Sequence, residues 1–251
     1  MRRPDWWPVA ATPDWQLDVG AGELALRTAA GDTVARETFD GAAALAPLLA
    51  KMLATYPRGT IQAWTEASAA RLFLLPWADS LTSRARWSTY AASRFEQSFG
   101  DAASAWSIRI ADDTAPRARL AAALPLALIE ALRIGSGGRV ASLRIGLIEQ
   151  LARLLARERR FAGCVVEPGA SVATLLVLVR GELRRVRTRR FDVADDLIGT
   201  ARSEWASFGI AGAAADAAIA LPEDAVGTLG PALAAAVGAV RVLALPRLNR
   251  V

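Results

Sequence analysis

The sequence contains no histidine, a single cysteine and, in Lys51, a single lysine, although lysine and arginine together number 30. Without histidine there is no Ser-His-Asp or Cys-His nucleophile and no ordinary zinc site, which leaves carboxylates, arginine and one lysine for any chemistry. Cys164 has no partner for an internal disulfide and no imidazole to activate it, so it reads as a small buried residue of a chain kept in a reducing compartment. Lys51 falls in an amphipathic helical stretch with no glycine-rich loop before it, which excludes a phosphate-binding P-loop. Long apolar runs are missing too. Residues 120–131 and 232–240 fall short of the roughly 20 that a membrane span needs, and residues 1–8 lack the apolar core of a signal peptide. The expectation is a cytoplasmic protein.

What is present is a 53% share of hydrophobic residues over 251 positions, enough for one large domain or two closely joined ones. The formal charge of +5 comes from arginines spread along the chain. Aromatic residues are not interleaved with the densest group of them as base stacking requires, so nucleic acid is not an expected partner.

The chain is organised around a stretch that occurs twice. Residues 15–27 and 163–180 each read as an apolar strand, a turn of small residues and a second strand, with a further turn at Gly31 or Gly181. The first turn is Asp18-Val19-Gly20-Ala21-Gly22, and the second is Glu167-Pro168-Gly169-Ala170-Ser171. Glycine there allows a sharp reversal and lets a phosphate or another chain approach the backbone. The first copy continues into a third strand, a helix over 41–54 and a strand over 60–65. The second continues into a basic strand over 183–188, a helix over 192–208, a strand over 217–221, a helix over 229–237 and a strand over 240–245.

Between the copies, residues 72–77 form an apolar run ended by Pro76, and a helix runs from a cap at Asp79 or Ser80 to Gly100. Strands over 106–110 and 117–123 flank the turn Asp112-Asp113-Thr114, whose acids read as solvated turn formers and not as a catalytic pair. Pro125 is expected as the first residue of a helix to Arg133. Gly135-Ser136-Gly137-Gly138 ends that helix and precedes a strand over 140–145 and a helix over 147–157, so it is a turn and not a phosphate loop.

Two surfaces are candidates for partners. Trp87, Tyr90 and Phe95 lie on the helix before Gly100, where the plainer reading is core aromatics covered by arginine stems. Arg185, Arg187 and Arg189 share one face of the basic strand, with Arg184 and Arg190 on the other. Such a strand guards a sheet edge against aggregation, or binds an acidic segment or phosphate.

Two halves of this pattern resemble the duplicated ribonuclease-H-like core of the actin-like superfamily. Within it the chain is similar to the compact branch that holds the cytoplasmic domain of the type II secretion L proteins and the type IV pilus assembly protein PilM. Leu74-Leu75-Pro76-Trp77, the aromatic helix and Trp106 resemble the middle segment of the secretion L proteins. The resemblance implies an α/β fold with two ribonuclease-H-like halves, mixed sheets flanked by helices, divided into an extension (1–14), a first half with an inserted segment (15–134) and a second half (135–251).

The resemblance also implies two phosphate loops, one with Asp18, Gly20 and Gly22 and one with Glu167, Gly169 and Ser171, which in active members hold a nucleotide and magnesium. Here Glu167 stands where aspartate is usual, Pro168 removes an amide donor, and Gly209-Ile210-Ala211-Gly212 is a weak version of the adenosine-side glycine pair. The expected function is therefore a non-enzymatic scaffold of a type II secretion or type IV pilus inner-membrane platform, with a degenerate cleft that binds ATP and magnesium weakly or not at all. Its implied partners are the motor ATPase and the cytoplasmic tail of a membrane-anchored component, engaged through Arg185, Arg187, Arg189, Trp87 and Phe95. Membrane association comes through those partners, and a homodimer stays open. The alternative is a small-molecule kinase of the same superfamily in which Asp18 and Glu167 hold magnesium.

Overall fold

The computed structural model describes residues 13–20, 22–56, 58–111, 117–169, 172–191, 194–207, 217–237 and 241–245. It divides into two compact units, one reaching to Ile148 except for Leu72–Leu74, the other running from Glu149 onward.

In the first unit, β1 (Trp15–Val19), β2 (Glu23–Thr28) and β3 (Thr33–Thr38) form the expected meander, followed by α1 (Gly41–Ala54) and β4 (Ile61–Thr65). An inserted segment supplies β5 (Arg71–Leu75), α2 (Arg84–Phe99), β6 (Trp106–Ile110) and β7 (Arg119–Pro125). Then come α3 (Leu126–Gly135), β8 (Val140–Ile145) and α4 (Gly146–Arg157), which leads into the second unit. There, β9 (Ala162–Pro168), β10 (Val172–Val179), β11 (Glu182–Arg190), α5 (Ala194–Ser207), β12 (Ala217–Pro222), α6 (Glu223–Val237) and β13 (Arg241–Leu245) follow.

The two main sheets have strand orders β3-β2-β1-β4-β8 and β11-β10-β9-β12-β13, with the inserted strands in a third sheet, β5-β7-β6. In each five-stranded sheet the hairpin pairs are antiparallel and the last two pairings are parallel. The second unit thus repeats the first with the insertion removed. Because β8 pairs with β4, residues 135–148 complete the first sheet, and the division expected at 134/135 falls instead within α4.

Alternation sets the faces of each sheet. Leu17, Val19, Leu24 and Leu26 share one face and are buried. Helices α1 and α3 meet so closely that a Cβ on Gly135 would lie 2.6 Å from the Ala46 carbonyl oxygen, which is why a residue without a side chain ends α3. In the second unit Cys164, Val166, Leu175 and Val177 form one core with Leu197 of α5, Ile219 and Leu221 of β12 and Leu233 of α6.

Some boundaries differ from expectation. Helix α2 starts at Arg84 and is capped by Ser83, whose Oγ accepts the Arg86 N–H at 3.3 Å. Asp79 is drawn elsewhere, accepting from the Trp77 indole at 2.9 Å. Pro125 closes β7 with φ −56° and stands just before α3, a strand end being a place where its missing N–H costs nothing. Helix α6 begins at Glu223, ahead of the expected 229. The Asp112-Asp113-Thr114 turn and Gly209-Ile210-Ala211-Gly212 lie outside the described residues. Among the described residues no helix is long and apolar enough to cross a membrane.

Candidate functional site

The first expected phosphate loop leaves β1 at Val19 and enters β2 at Glu23. Register puts Asp18 opposite Ala25 and Gln16 opposite Arg27, so Asp18 and Arg27 are diagonal neighbours on the same face of the sheet. The Arg27 Nε donates to Asp18 Oδ2 at 2.6 Å, with the two side chains 21% and 32% exposed. A carboxylate meant to order magnesium therefore already has a cationic partner. The Gly20 N–H donates to the Glu23 carbonyl at 2.9 Å to close the hairpin. Glu66, at the end of β4, brings Oε1 to 3.2 Å from where a Cβ on Gly20 would lie, and its other oxygen accepts from Ser68 at 3.0 Å. Gly20 thus sits beside a carboxylate that repels phosphate. The same sheet face carries Trp64 and Arg144 in register with Asp18, the guanidinium 5.5 Å from the indole centroid.

The second loop has the same closure. The Gly169 N–H donates to the Val172 carbonyl at 2.8 Å, which makes Gly169 the counterpart of Gly20, Glu167 of Asp18 and Leu176 of Arg27. Glu167 pairs with Thr174 across the hairpin and is half-buried. Leu176 thus stands where the first hairpin has Arg27. Gly22 is placed where expected, its carbonyl accepting from the Phe39 N–H at 2.9 Å. Ser171 lies outside the described residues. As a set, an arginine-bound aspartate, a glycine amide engaged in its own hairpin and a neighbouring glutamate do not fit a magnesium–phosphate group in the first loop.

The expected partner residues fall into two groups. Trp87 is 4% exposed and Phe95 fully buried, which corrects the reading of these two as a partner surface. Phe95 packs against Phe99 and Trp106 with ring centroids 5.1 and 5.3 Å apart. Arg119 lies over Trp87 at 4.3 Å and Arg71 over Trp106 at 5.6 Å, so Trp87 is a core aromatic covered by a guanidinium group and Phe95 one enclosed by other rings.

Strand β11 is an edge of its sheet. Arg185 and Arg187 both reach Glu204 of α5, at 2.7 and 2.9 Å, and Arg189 is exposed with no acidic partner among the described residues. Burial pushes the Glu204 carboxyl up, but the hydrogen bonds and charges of Arg185 and Arg187 outweigh it and hold the group below its ordinary value. Cys164 lies in the same core, where burial and then the Glu204 charge push its thiol up to about 12.

Sequence reading missed Arg27, Glu66 and Glu204 as the groups that decide these sites. The register of a tight hairpin contained a signal for Arg27, since a cation two residues away on the facing strand shares Asp18's side of the sheet. Glu66 and Glu204 come from other elements, which pattern alone does not bring near.

No family model matches the sequence, and no curated protein matches it. Solved structures do. A Bacteroides thetaiotaomicron protein with an actin-like ATPase fold and unknown function is 8% identical, covers 95% of this chain and 94% of its own, and superposes with a TM-score of 0.62. The chain has the actin-like fold. A PilM-PilN type IV pilus biogenesis complex gives a TM-score of 0.62 at 15% identity over 96% of this chain and 89% of that one. The cytoplasmic domain of EpsL, an inner-membrane component of the Vibrio cholerae type II secretion system, gives 0.51 at 10% identity over 82% and 80%. The actin-like fold is consistent with the two sheets of matching strand order.

Proposed function

We propose that the chain is a non-enzymatic assembly component of a type IV pilus or type II secretion inner-membrane platform, built on an actin-like fold whose nucleotide site has lapsed. The observation that carries the reading is the ion pair between Asp18 and Arg27. It neutralises the carboxylate that magnesium would need, and Glu66 beside Gly20 adds repulsion toward phosphate. The neighbouring structures belong to a pilus biogenesis complex and a secretion inner-membrane component, which supports the choice of machine. Its partners on this reading are the motor ATPase and the cytoplasmic tail of a membrane-anchored component. Arg189, together with Arg185 and Arg187, is the surface offered to an acidic segment, while Trp87 and Phe95 serve from within by holding α2 in place. The kinase alternative needs Asp18 to exchange arginine for magnesium.

The test is co-purification of the full chain with the motor ATPase and with the membrane component's tail, encoded in the same genome. The expected result is a stable complex with at least one of them that does not require ATP. Empty pull-downs with both, or turnover of a phosphate donor lost in Asp18→Asn, would overturn the proposal.

A further inference from the structure

Two turns at one end of the second sheet are bolted together. The β10–β11 connection is the two-residue turn Arg180-Gly181, both with positive φ, 53° and 79°. The Gly181 N–H donates to the Phe161 carbonyl at 2.7 Å, and a Cβ on Gly181 would lie 2.0 Å from the Arg159 carbonyl oxygen. The Arg159-Arg160 turn before β9 therefore rests directly on the Arg180-Gly181 tip. Arg159, Arg160 and Arg180 are all exposed. The two carboxylates next to them in sequence are engaged elsewhere, Glu158 with Arg241 at 2.7 Å and Glu182 with Arg184 at 2.6 Å. Three positive charges at one corner are left without an acidic partner among the described residues.

Arg180 is also the one non-glycine residue with positive φ among those described. A turn of this kind is normally filled by asparagine, aspartate or glycine, for which the left-handed backbone is easy. Arginine gains nothing there locally, and strain of this sort is kept where the side chain serves a purpose.

We infer that this corner binds the anionic headgroups of a phospholipid surface directly. Convex turn tips that present three guanidinium groups suit a plane of phosphates, each of which a guanidinium can grip with two donors. A single-stranded nucleic acid would need an aromatic stacking platform, and Phe161, the aromatic next to these turns, is buried. An acidic peptide strand would find its match along β11, not at its tip. The inference does not rest on the assignment to a secretion or pilus machine, and it adds a direct contact to recruitment by partners.

The experiment is co-sedimentation of the full chain with vesicles of phosphatidylcholine containing phosphatidylglycerol, beside pure phosphatidylcholine vesicles and a single-stranded DNA of similar charge. The expected result is binding to the anionic vesicles alone, lost in high salt, with each arginine removed from the corner weakening it about fivefold. Arg180→Asn separates the charge from the fold, because asparagine suits the left-handed turn: the variant should melt at the same temperature or higher while binding more weakly. Arg159→Ser with Arg160→Ser should weaken binding further. The inference is overturned if the anionic vesicles do not bind, if these substitutions leave binding unchanged, or if the DNA binds more tightly through the same arginines.

Discussion

At the scale of single residues, the arginine content that looked diffuse in the sequence resolves into arginines with distinct tasks. Arg27 pairs with Asp18, Arg119 and Arg71 cover aromatic rings, and Arg185 and Arg187 share one glutamate. The Arg27–Asp18 pair is partly exposed, so it is expected to add about 0.5–1 kcal/mol. In a double-mutant cycle by urea unfolding, Arg27→Leu and Asp18→Asn should each cost that much, and the double variant little more than either alone. Full additivity would mean the two side chains do not act on each other.

Glu204 is more deeply set, and removing it leaves two guanidinium groups facing each other. Glu204→Gln should cost about 1–3 kcal/mol at pH 7. Its carboxyl is held below the ordinary value of 4.5 when folded, so the stability it supplies is complete above that value and disappears as the pH falls through the folded one. The wild-type advantage over Glu204→Gln should therefore shrink in unfolding curves measured at successively lower pH, and an advantage that grew on acidification would contradict the assignment. Cys164, with its thiol pushed up to about 12, should resist a thiol reagent at pH 8 in the native protein and react on unfolding.

At the scale of elements, most strands and helices were legible because the signals were local. The α1 stretch, with Leu45, Leu49, Met52 and Leu53 at helical spacing, fell where the periodicity put it, as did the β1–β3 meander between its glycine turns. The start of α2 was not legible. Asp79 and Ser80 both look like caps, and only the bond from the Trp77 indole to Asp79 shows why the chain delays the helix to Ser83. The fate of Trp87 and Phe95 was open in the sequence for a related reason: a helix with aromatics on one face looks alike whether a partner or its own sheet covers them. Here Arg119 covers Trp87, and Phe99 and, from β6, Trp106 pack on Phe95. Trp87→Ala should accordingly cost about 3–5 kcal/mol in thermal or urea unfolding. Gly135→Ala tests the α1–α3 contact: its Cβ would meet the Ala46 carbonyl oxygen, and a loss of about 1–3 kcal/mol is expected from overpacking. A neutral outcome would mean the helices part without cost.

At the scale of the whole chain, the duplication was visible because both hairpins repeat glycine turns and strands at matching distances. The boundary between the halves was not, because β8 lies far from β4 in sequence and joins the first sheet only through a parallel pairing that no local pattern specifies. The candidate site was half legible. The two hairpin turns could be placed from Asp18, Gly20, Glu167 and Gly169, whereas the neighbours Arg27 and Glu66 come in through register and through the end of another strand. The central claim is that this actin-like fold has outlived its nucleotide chemistry. The measurement that tests it most directly is the melting temperature of the full chain with and without millimolar ATP and magnesium, beside Asp18→Ala. A ligand at about 100 times its dissociation constant adds roughly 2.7 kcal/mol, which moves the melting point of a chain this size by several degrees. The account predicts no shift in either protein. A shift of several degrees in the wild type that vanishes in Asp18→Ala would contradict it.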